Sequence, residues 1–205
     1  MWNSQVIIML LEGIRDTLYM TLASTLFGYI IGLPMGIVLT VTDKDGIRPN
    51  AAVYKVLDVI SNLLRSIPFI ILLIVLIPFT RFVVGRSYGS TATIVPLTIA
   101  AAPYIARMVE SSLKEVDAGV IEAARSMGAS DFQIVTKVML VEARTSLIVG
   151  ATISLGTILG YSAMAGTVGG GGLGDIAIRY GYTRWQTDIM AVSYTHLTLP
   201  TICSV

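Results

Sequence analysis

The sequence is poor in charged residues and contains almost no cysteine or histidine. Charged residues make up 13% of its 205 residues, whereas a soluble domain usually has about 25%. Too few charges remain to cover a surface that faces water. The single cysteine, Cys203, excludes an internal disulfide and a cysteine-based metal cluster. The formal net charge of +1 gives no indication of a nucleic-acid partner.

Signatures of nucleotide binding and catalysis are also missing. No stretch matches the phosphate-binding sequence G-x-x-x-x-G-K-[ST], and the glycine run at 169–172 has no lysine to reach a phosphate. No H-E-x-x-H occurs, and the only histidine is His196. The stretch Gly160-Tyr-Ser-Ala-Met164 is one glycine short of the nucleophile motif G-x-S-x-G. We therefore expect no catalytic residue, no metal site and no cofactor in this chain.

The sequence does contain long apolar stretches. Hydrophobic residues make up 54% of the chain, and the mean hydropathy is +0.77. A helix needs about 20 apolar residues to cross the hydrocarbon core of a bilayer. Four stretches are candidates, namely residues 17–42, 56–80, 87–106 and 145–174, and a fifth begins near 189–192 and stops. The sequence predicts an all-α polytopic transmembrane helix bundle with four complete spans and a truncated fifth.

The basic residues are unevenly divided between the two sides of this bundle. One side carries Lys44, Arg48, Lys55, Arg107, Lys114, Arg125, Lys137 and Arg144. The other side carries Arg15, Arg81, Arg86, Arg179 and Arg184. Because lysine and arginine are enriched in cytoplasmic loops, the N-terminus is predicted outside and residues 115–142 in the cytoplasm. Within the first span, Gly28, Gly32 and Gly36 recur every four residues, which favours close approach of another helix.

Residues 115–142 are too long and too patterned for a plain connector between spans. Asp117 can cap a helix whose left-handed end falls at Gly128. Ser130 and Gln133 then predict a capping box at the start of a second short helix. One face of that helix is predicted to carry Phe132, Val135, Val138 and Met139. An exposed amphipathic pair of this kind docks in a groove of a partner protein; a helix pair lying on the membrane surface is the alternative.

The same segment resembles the EAA motif of ABC importer permeases. Glu122-Ala123-Ala124 is followed at the motif's spacing by Gly128 and then by Val138-Met-Leu140. Val138 and Val141 depart from the motif, which has isoleucine and proline at those positions. The resemblance implies the type I ABC importer permease fold and a separate ATP-binding subunit. It implies that this subunit is contacted and coupled through Glu122, Ala123, Ala124, Gly128, Val138 and Leu140.

Three further stretches, residues 65–72, 94–107 and 160–164, are similar to the methionine-importer permeases. The resemblance covers about residues 6–192 and implies a homodimer in the bacterial inner membrane. It further implies two ATP-binding cassette subunits that hold ATP and Mg, and an extracytoplasmic binding protein that delivers D- or L-methionine. Another small apolar amino acid or peptide-like solute remains open. An ion-coupled secondary transporter also remains open, although such proteins place charges deep in the membrane and the span centres here are neutral.

Candidate pathway residues lie in the second span and near the outer end of the fourth. They are Pro68, Tyr161, Ser162 and Met164, all of which fall in stretches similar to the methionine-importer permeases. A flexible thioether can seal a narrow pore and still repack, but an ordinary core or lipid-facing Met164 is equally compatible with the sequence. The glycine run at 169–172 is read either as a flexible outer loop or as a hinge beside an outer gate.

Residues 193–205 differ in character from the rest of the chain. They are about half polar where the family pattern would continue an apolar span, and they contain the only histidine and cysteine. We interpret residues 1–192 as the permease domain. The tail is explained most simply by a frameshift or a sequence-assembly junction near Val192, and a genuine short variant is the alternative. No role is assigned to His196 or Cys203.

Overall fold

A computed structural model describes residues 4–202, and the side chains of residues 4–198. Every regular element in that range is a helix. The α-helices are α1 Ser4–Thr42, α2 Ala51–Ser66, α3 Phe69–Val75, α4 Ile77–Val84, α5 Ser90–Lys114, α6 Ala118–Ser126, α7 Asp131–Gln133, α8 Leu140–Glu142, α9 Arg144–Ala165, α10 Gly172–Ile176 and α11 Thr187–Ile202. Two π turns, Ile134–Met139 and Ala177–Tyr182, and a 3-10 turn, Gly166–Val168, complete the chain.

Three elements are long and apolar enough to cross a membrane, judged by length and composition over the described residues: Ser4–Thr42, Ser90–Lys114 and Arg144–Val168. Helices α2 and α3 pass the same test only as a sharply bent pair, which is a broken span or a re-entrant loop. Helix α11, with 16 residues, is shorter than the roughly 20 that a span needs. The predicted all-α bundle is confirmed.

The second predicted span, residues 56–80, is not one continuous helix, and that expectation was wrong. Helix α2 ends at Ser66, and Pro68 has φ −54° and ψ 132° before α3 begins at Phe69. Proline has no N–H to donate and disfavours the helical conformation at the residue before it, so the helix breaks at Ile67. A second break at Leu76 precedes α4, which has Pro78 in its first turn.

The fourth span ends earlier than residue 174. Helix α9 and the 3-10 turn that follows it stop at Val168, and Gly169 and Gly171 have φ of +76° and +82°. This left-handed region is open to glycine at little cost and ends a right-handed helix. The chain then enters the short helix α10.

The sequence predicted that the last helix stops near Val192, and that prediction was wrong. Helix α11 continues to Ile202, so the tail at 193–205 is helical as far as the structure describes it. Its polar side chains bond back into the helix: Thr195 Oγ1 donates to the carbonyl of Ala191 at 2.8 Å, and Thr198 Oγ1 to that of Tyr194 at 3.2 Å. Such back-bonding lets threonine remain in a helix. Cys203 lies outside the described residues.

The chain forms two compact units. The first contains the described residues up to Phe27, Ile67–Ala101, and the described residues from Ile153 onward; the second contains Gly28–Ser66 and Ala102–Thr152. The core of the first unit is formed by Met20, Phe69, Leu73, Leu97 and Ala165. The most deeply buried large apolar side chains of the second are Leu39, Ile105, Val109, Leu113 and Ile134.

Close packing of α1 on α5 confirms the expected role of two of the spaced glycines. A Cβ atom on Gly32 would lie 2.7 Å from the Ala102 carbonyl oxygen, and one on Gly36 would lie 2.6 Å from that of Ala106. Real Cβ atoms do not approach backbone atoms so closely. The two helix backbones therefore meet where only glycine fits.

We expect Gly36→Ala to lower the stability of the purified protein in detergent by about 1–3 kcal/mol, because the added methyl group overpacks this contact. Thermal unfolding of the detergent-solubilised protein measures the effect. Gly160→Ala is the matched control, since a Cβ atom there has nothing within 4 Å. Equal melting of both variants would contradict the assigned packing.

Candidate functional site

The segment 115–142, called the EAA segment below, begins with a fully capped helix. The Asp117 side chain accepts a hydrogen bond from the Gly119 N–H at 2.7 Å, as predicted for an N-cap. At the other end, Gly128 has φ +82° and its N–H donates to the Arg125 carbonyl at 3.0 Å. The Ala129 N–H donates to the Ala124 carbonyl at 3.1 Å, which completes a Schellman motif. The predicted left-handed helix end at Gly128 is confirmed. The junction of α6 and α7 around Gly128 is called the EAA corner below.

The predicted capping box at Ser130 is also present. The Ser130 N–H donates to Gln133 Oε1 at 2.9 Å, and the Gln133 N–H donates to Ser130 Oγ at 3.4 Å. Both reciprocal bonds satisfy backbone groups at the start of α7. The corner is therefore held from both sides by local hydrogen bonds.

The predicted apolar face of the second helix was wrong in part. Val135 and Met139 are buried and Val138 is half-buried, but Phe132 is 77% exposed and Ile134 is fully buried. The reason is the π turn Ile134–Met139, in which each turn holds more residues than in an α-helix. The extra residue shifts the buried stripe away from the spacing that an α-helix would give.

The exposed surface of the EAA segment is apolar at its corner. Met127 is 82% exposed, Phe132 is 77% exposed, and Val120 is also exposed. Glu122 and Ala123 are exposed beside them, whereas Ala124 is buried, so the two alanines do not form one outward face. Leu140, like Val138, is half-buried and supports the segment from within.

A second feature of this unit is an ion-pair network of Asp43, Asp58, Arg107, Glu110 and Lys114. Arg107 donates to Asp58 and, at 2.6 Å from Nη1, to Glu110 Oε2. Lys114 Nζ lies 2.8 Å from Glu110 Oε1 and 2.6 Å from Asp43 Oδ2. The side chains of Arg107 and Glu110 are only 19% and 6% exposed. The network joins α2, α5 and the residue after α1.

Neutral groups complete the network. The Tyr54 hydroxyl donates to Glu110 Oε1 at 3.3 Å, and Asn62 Nδ2 donates to Asp58 Oδ1 at 3.1 Å. The hydrogen bond from Lys114 is the main reason that the pKa of Asp43 lies below its ordinary value of 3.8. Asp43 is therefore ionised at neutral pH. The spacing of Arg107, Glu110 and Lys114 on one helix face could have revealed half of this network; its partners on other elements could not be read from sequence.

In the first unit, the predicted pathway residue Tyr161 forms an aromatic pair with Phe69, the neighbour of Pro68 in the chain. Phe69, which follows Pro68, stacks on Tyr161 with ring centroids 4.7 Å apart and an angle of 6° between the ring planes. Phe69 was not anticipated, and only its position beside Pro68 marks it in the sequence. Stacked rings pack rigidly, so the start of α3 and the last turns of α9 are held against each other.

Ser162 and Met164 are placed differently from Tyr161. The Ser162 hydroxyl is buried and donates to the Leu159 carbonyl at 2.7 Å, so it is used inside its own helix. It is not an exposed nucleophile, and its place in the pathway stays a prediction. Met164 is exposed.

The glycine run is packed against helices of its own unit, so its interpretation as a flexible outer loop is wrong. The Gly89 N–H donates to the Gly169 carbonyl at 3.0 Å, and Thr93 Oγ1 donates to the Gly170 carbonyl at 3.1 Å. The Leu173 N–H donates to Thr17 Oγ1 at 2.9 Å. Gly172 has φ +72° and no room for a Cβ atom, which would lie 2.6 Å from Thr17 Oγ1. The alternative of a hinge beside a gate stays a prediction.

Metal chemistry finds no support in the part of the chain that the structure describes. No group of three or more histidine, cysteine, aspartate or glutamate side chains there is placed to hold a metal ion. The Nδ1 atom of His196 lies 2.9 Å from the Val192 carbonyl oxygen of its own helix.

Known proteins resemble this chain over most of its length. The probable D-methionine transport system permease protein MetI of Vibrio cholerae serotype O1 is 48% identical over 189 residues, which cover 92% of this chain and 84% of that protein. The D-methionine transport system permease protein MetI of Escherichia coli K12 is 54% identical over 158 residues, covering 77% and 73%.

Solved structures agree with these relatives. A structure of the MetNI methionine ABC transporter in an inward-facing conformation matches with a TM-score of 0.96 and 48% identity, covering 99% of this chain and 96% of that chain. An amino acid ABC transporter matches with a TM-score of 0.75 at 19% identity, which supports the fold alone. The family model described as "binding-protein-dependent transport system inner membrane component" matches residues 18–203. The chain therefore belongs to the family of inner membrane components of binding-protein-dependent transport systems.

Proposed function

We propose that this chain is the membrane-spanning permease subunit of an ATP-binding-cassette importer for D- and L-methionine. The observation that carries the proposal is the EAA corner, with a capped helix, a left-handed Gly128 and two exposed apolar side chains at Met127 and Phe132. An exposed apolar patch at a rigid corner is typical of a docking site for another protein. The names of the relatives support methionine as the substrate.

The docked protein is an ATP-binding subunit, one for each copy of a permease homodimer. ATP and Mg are bound there, since the sequence has no phosphate-binding loop of its own. Glu122 and Ala123 lie on the exposed side of the EAA helix and contact the ATPase together with Met127 and Phe132. Ala124, Gly128, Val138 and Leu140 keep the corner in shape.

The translocation pathway runs beside Pro68, Tyr161, Ser162 and Met164. The break at Pro68 and the aromatic pair of Phe69 with Tyr161 set the position of α3 in its unit. Met164 supplies an exposed thioether that can close a narrow passage and repack when it opens. An extracytoplasmic binding protein delivers the amino acid to this side.

The chain lies in the inner membrane with its N-terminus outside and its EAA segment in the cytoplasm. The excess of lysine and arginine around the EAA segment supports this orientation. Exposed apolar side chains of α1, such as Leu11, Leu22 and Leu26, face lipid or the second copy of the chain. An ion-coupled transporter is not favoured, because the buried carboxylate of Glu110 is bonded to Arg107, Lys114 and Tyr54.

Uptake of labelled D- and L-methionine by an importer-null bacterial strain tests this function. We expect the chain, expressed with its ATP-binding and binding-protein partners, to restore uptake of methionine that excess unlabelled methionine abolishes. Omission of the ATP-binding subunit is the control and should remove uptake. Restored uptake without that subunit, or no uptake of either isomer with all components present, would contradict the proposal.

A further inference from the structure

The turn between α1 and α2, residues 43–50, is built as a rigid extension of both helices. Three of its N–H groups donate to carbonyls at the end of α1: Asp43 to Leu39 at 3.1 Å, Arg48 to Val41 at 3.0 Å, and Asn50 to Thr42 at 2.9 Å. These bonds satisfy carbonyls that a helix end otherwise leaves without partners. Asn50 Oδ1 then accepts from the Val53 N–H at 3.2 Å and caps α2.

Close backbone contact adds to this rigidity. A Cβ atom on Gly46 would lie 2.5 Å from the carbonyl oxygens of both Thr40 and Val41. The turn is thus folded directly onto the last turn of α1, where only glycine fits. A force applied to the turn is passed to the end of α1 and the start of α2 together.

Two charged side chains connect this turn to the rest of its unit. Lys114, at the end of α5, pairs with Asp43. Arg125, on the EAA helix α6, donates from Nη2 to the Ile47 carbonyl at 3.1 Å. A cavity of about 580 Å³ lies between the turn and α6, lined by Lys44, Glu122 and Met139 among others. The turn and α6 are therefore separated by open space, and the Arg125 side chain bridges that space.

We propose that Arg125 is a positioning residue that passes displacement of the EAA helix sideways to the α1–α2 turn. The covalent chain connects α6 only to α5 and to the π turn that leads to α9. The Arg125–Ile47 bond adds a path to α1 and α2, so that the elements of this unit move together when the ATPase moves α6. Because the acceptor is a backbone carbonyl, the path depends on the arginine and not on the side chain at position 47. The inference rests on the coupling role proposed for the EAA segment.

The test uses the complete importer reconstituted in proteoliposomes, with methionine uptake and ATP hydrolysis measured on the same preparation. We expect Arg125→Ala to keep a normal amount of bound ATP-binding subunit. The amount of methionine imported per ATP should fall about five- to tenfold, because that is the change in an equilibrium expected from the loss of one hydrogen bond. Arg125→Lys, which retains a donor, should recover most of the ratio. Lys137→Ala removes another exposed cation from the EAA segment and should leave the ratio unchanged.

Either of two results would overturn the inference. An unchanged ratio of import to hydrolysis in Arg125→Ala would show that no displacement passes through this bond. Loss of the ATP-binding subunit from that variant would assign Arg125 to docking instead. Failure of the proposed function would look different, because the unsubstituted complex would then import no methionine at all.

Discussion

Gly128→Pro should abolish methionine import and release the ATP-binding subunit. Gly128 has φ +82°, a value that proline cannot reach because its ring fixes φ near −65°. The substitution also removes the N–H that donates to the Arg125 carbonyl at 3.0 Å. Nothing lies within 4 Å of a Cβ atom at this position, so the effect comes from the backbone and not from a steric clash. Uptake assays and co-purification of the ATPase measure it.

Two further variants distinguish an effect on the backbone conformation at Gly128 from an effect on the contact with the ATPase. Gly128→Asn should retain most of the activity, because asparagine tolerates the left-handed conformation at modest cost. Glu122→Lys reverses an exposed charge and leaves the corner intact, so we expect loss of the ATPase without loss of folded permease. Normal assembly and uptake in both Gly128→Pro and Glu122→Lys would refute the role of the EAA corner.

Arg107→Met should destabilise the permease by about 3–5 kcal/mol, the usual cost of removing one partner from a buried ion pair. The substitution leaves the nearly buried carboxylate of Glu110 with Lys114 and the Tyr54 hydroxyl, and it takes the arginine from Asp58. Methionine matches the apolar part of arginine, so lost packing contributes little. Thermal unfolding in detergent, followed by size-exclusion chromatography, gives the change.

The matched control for this experiment is Arg179→Met. Arg179 also forms an ion pair, with Asp175 at 2.9 Å, but its side chain is 58% exposed. An exposed pair contributes about 1 kcal/mol or less, and melting should hardly change. Adding Glu110→Gln to Arg107→Met should recover part of the stability, because the buried carboxylate that has lost its arginine partner is then replaced by a neutral amide. If Arg107→Met and Arg179→Met lower the melting temperature equally, the network contributes no more stability than an exposed ion pair.

Local features of the site could be predicted from the sequence. The Asp117 cap, the left-handed Gly128 and the Ser130–Gln133 capping box each depend on residues within five positions of one another. Interactions of such short range are fixed by residue type and spacing. The same holds for the glycine spacing of α1, where the absence of a side chain indicates a close neighbour without identifying it.

Features that depend on distant residues could not be predicted. Asp43 and Asp58 meet α5 only through the fold, and the aromatic pair of Phe69 and Tyr161 joins residues far apart in the chain. The glycine run was misread because glycine-rich sequence permits both mobility and close packing, and only the neighbours decide between them. Phe132 was misplaced because α-helical periodicity does not apply across a π turn.

The π turn has a consequence for how the length of this segment can vary. A π turn holds one residue more than an α-helical turn. A single deletion between Ile134 and Met139 can therefore be absorbed by a return to regular α-helix, with the elements on either side keeping their rotational phase. The start of α9 is regular α-helix and has no extra residue to lose. A one-residue deletion there would rotate the preceding segment by about 100° relative to α9. A one-residue deletion at 134–139 should accordingly leave more folded protein than the same deletion at the start of α9.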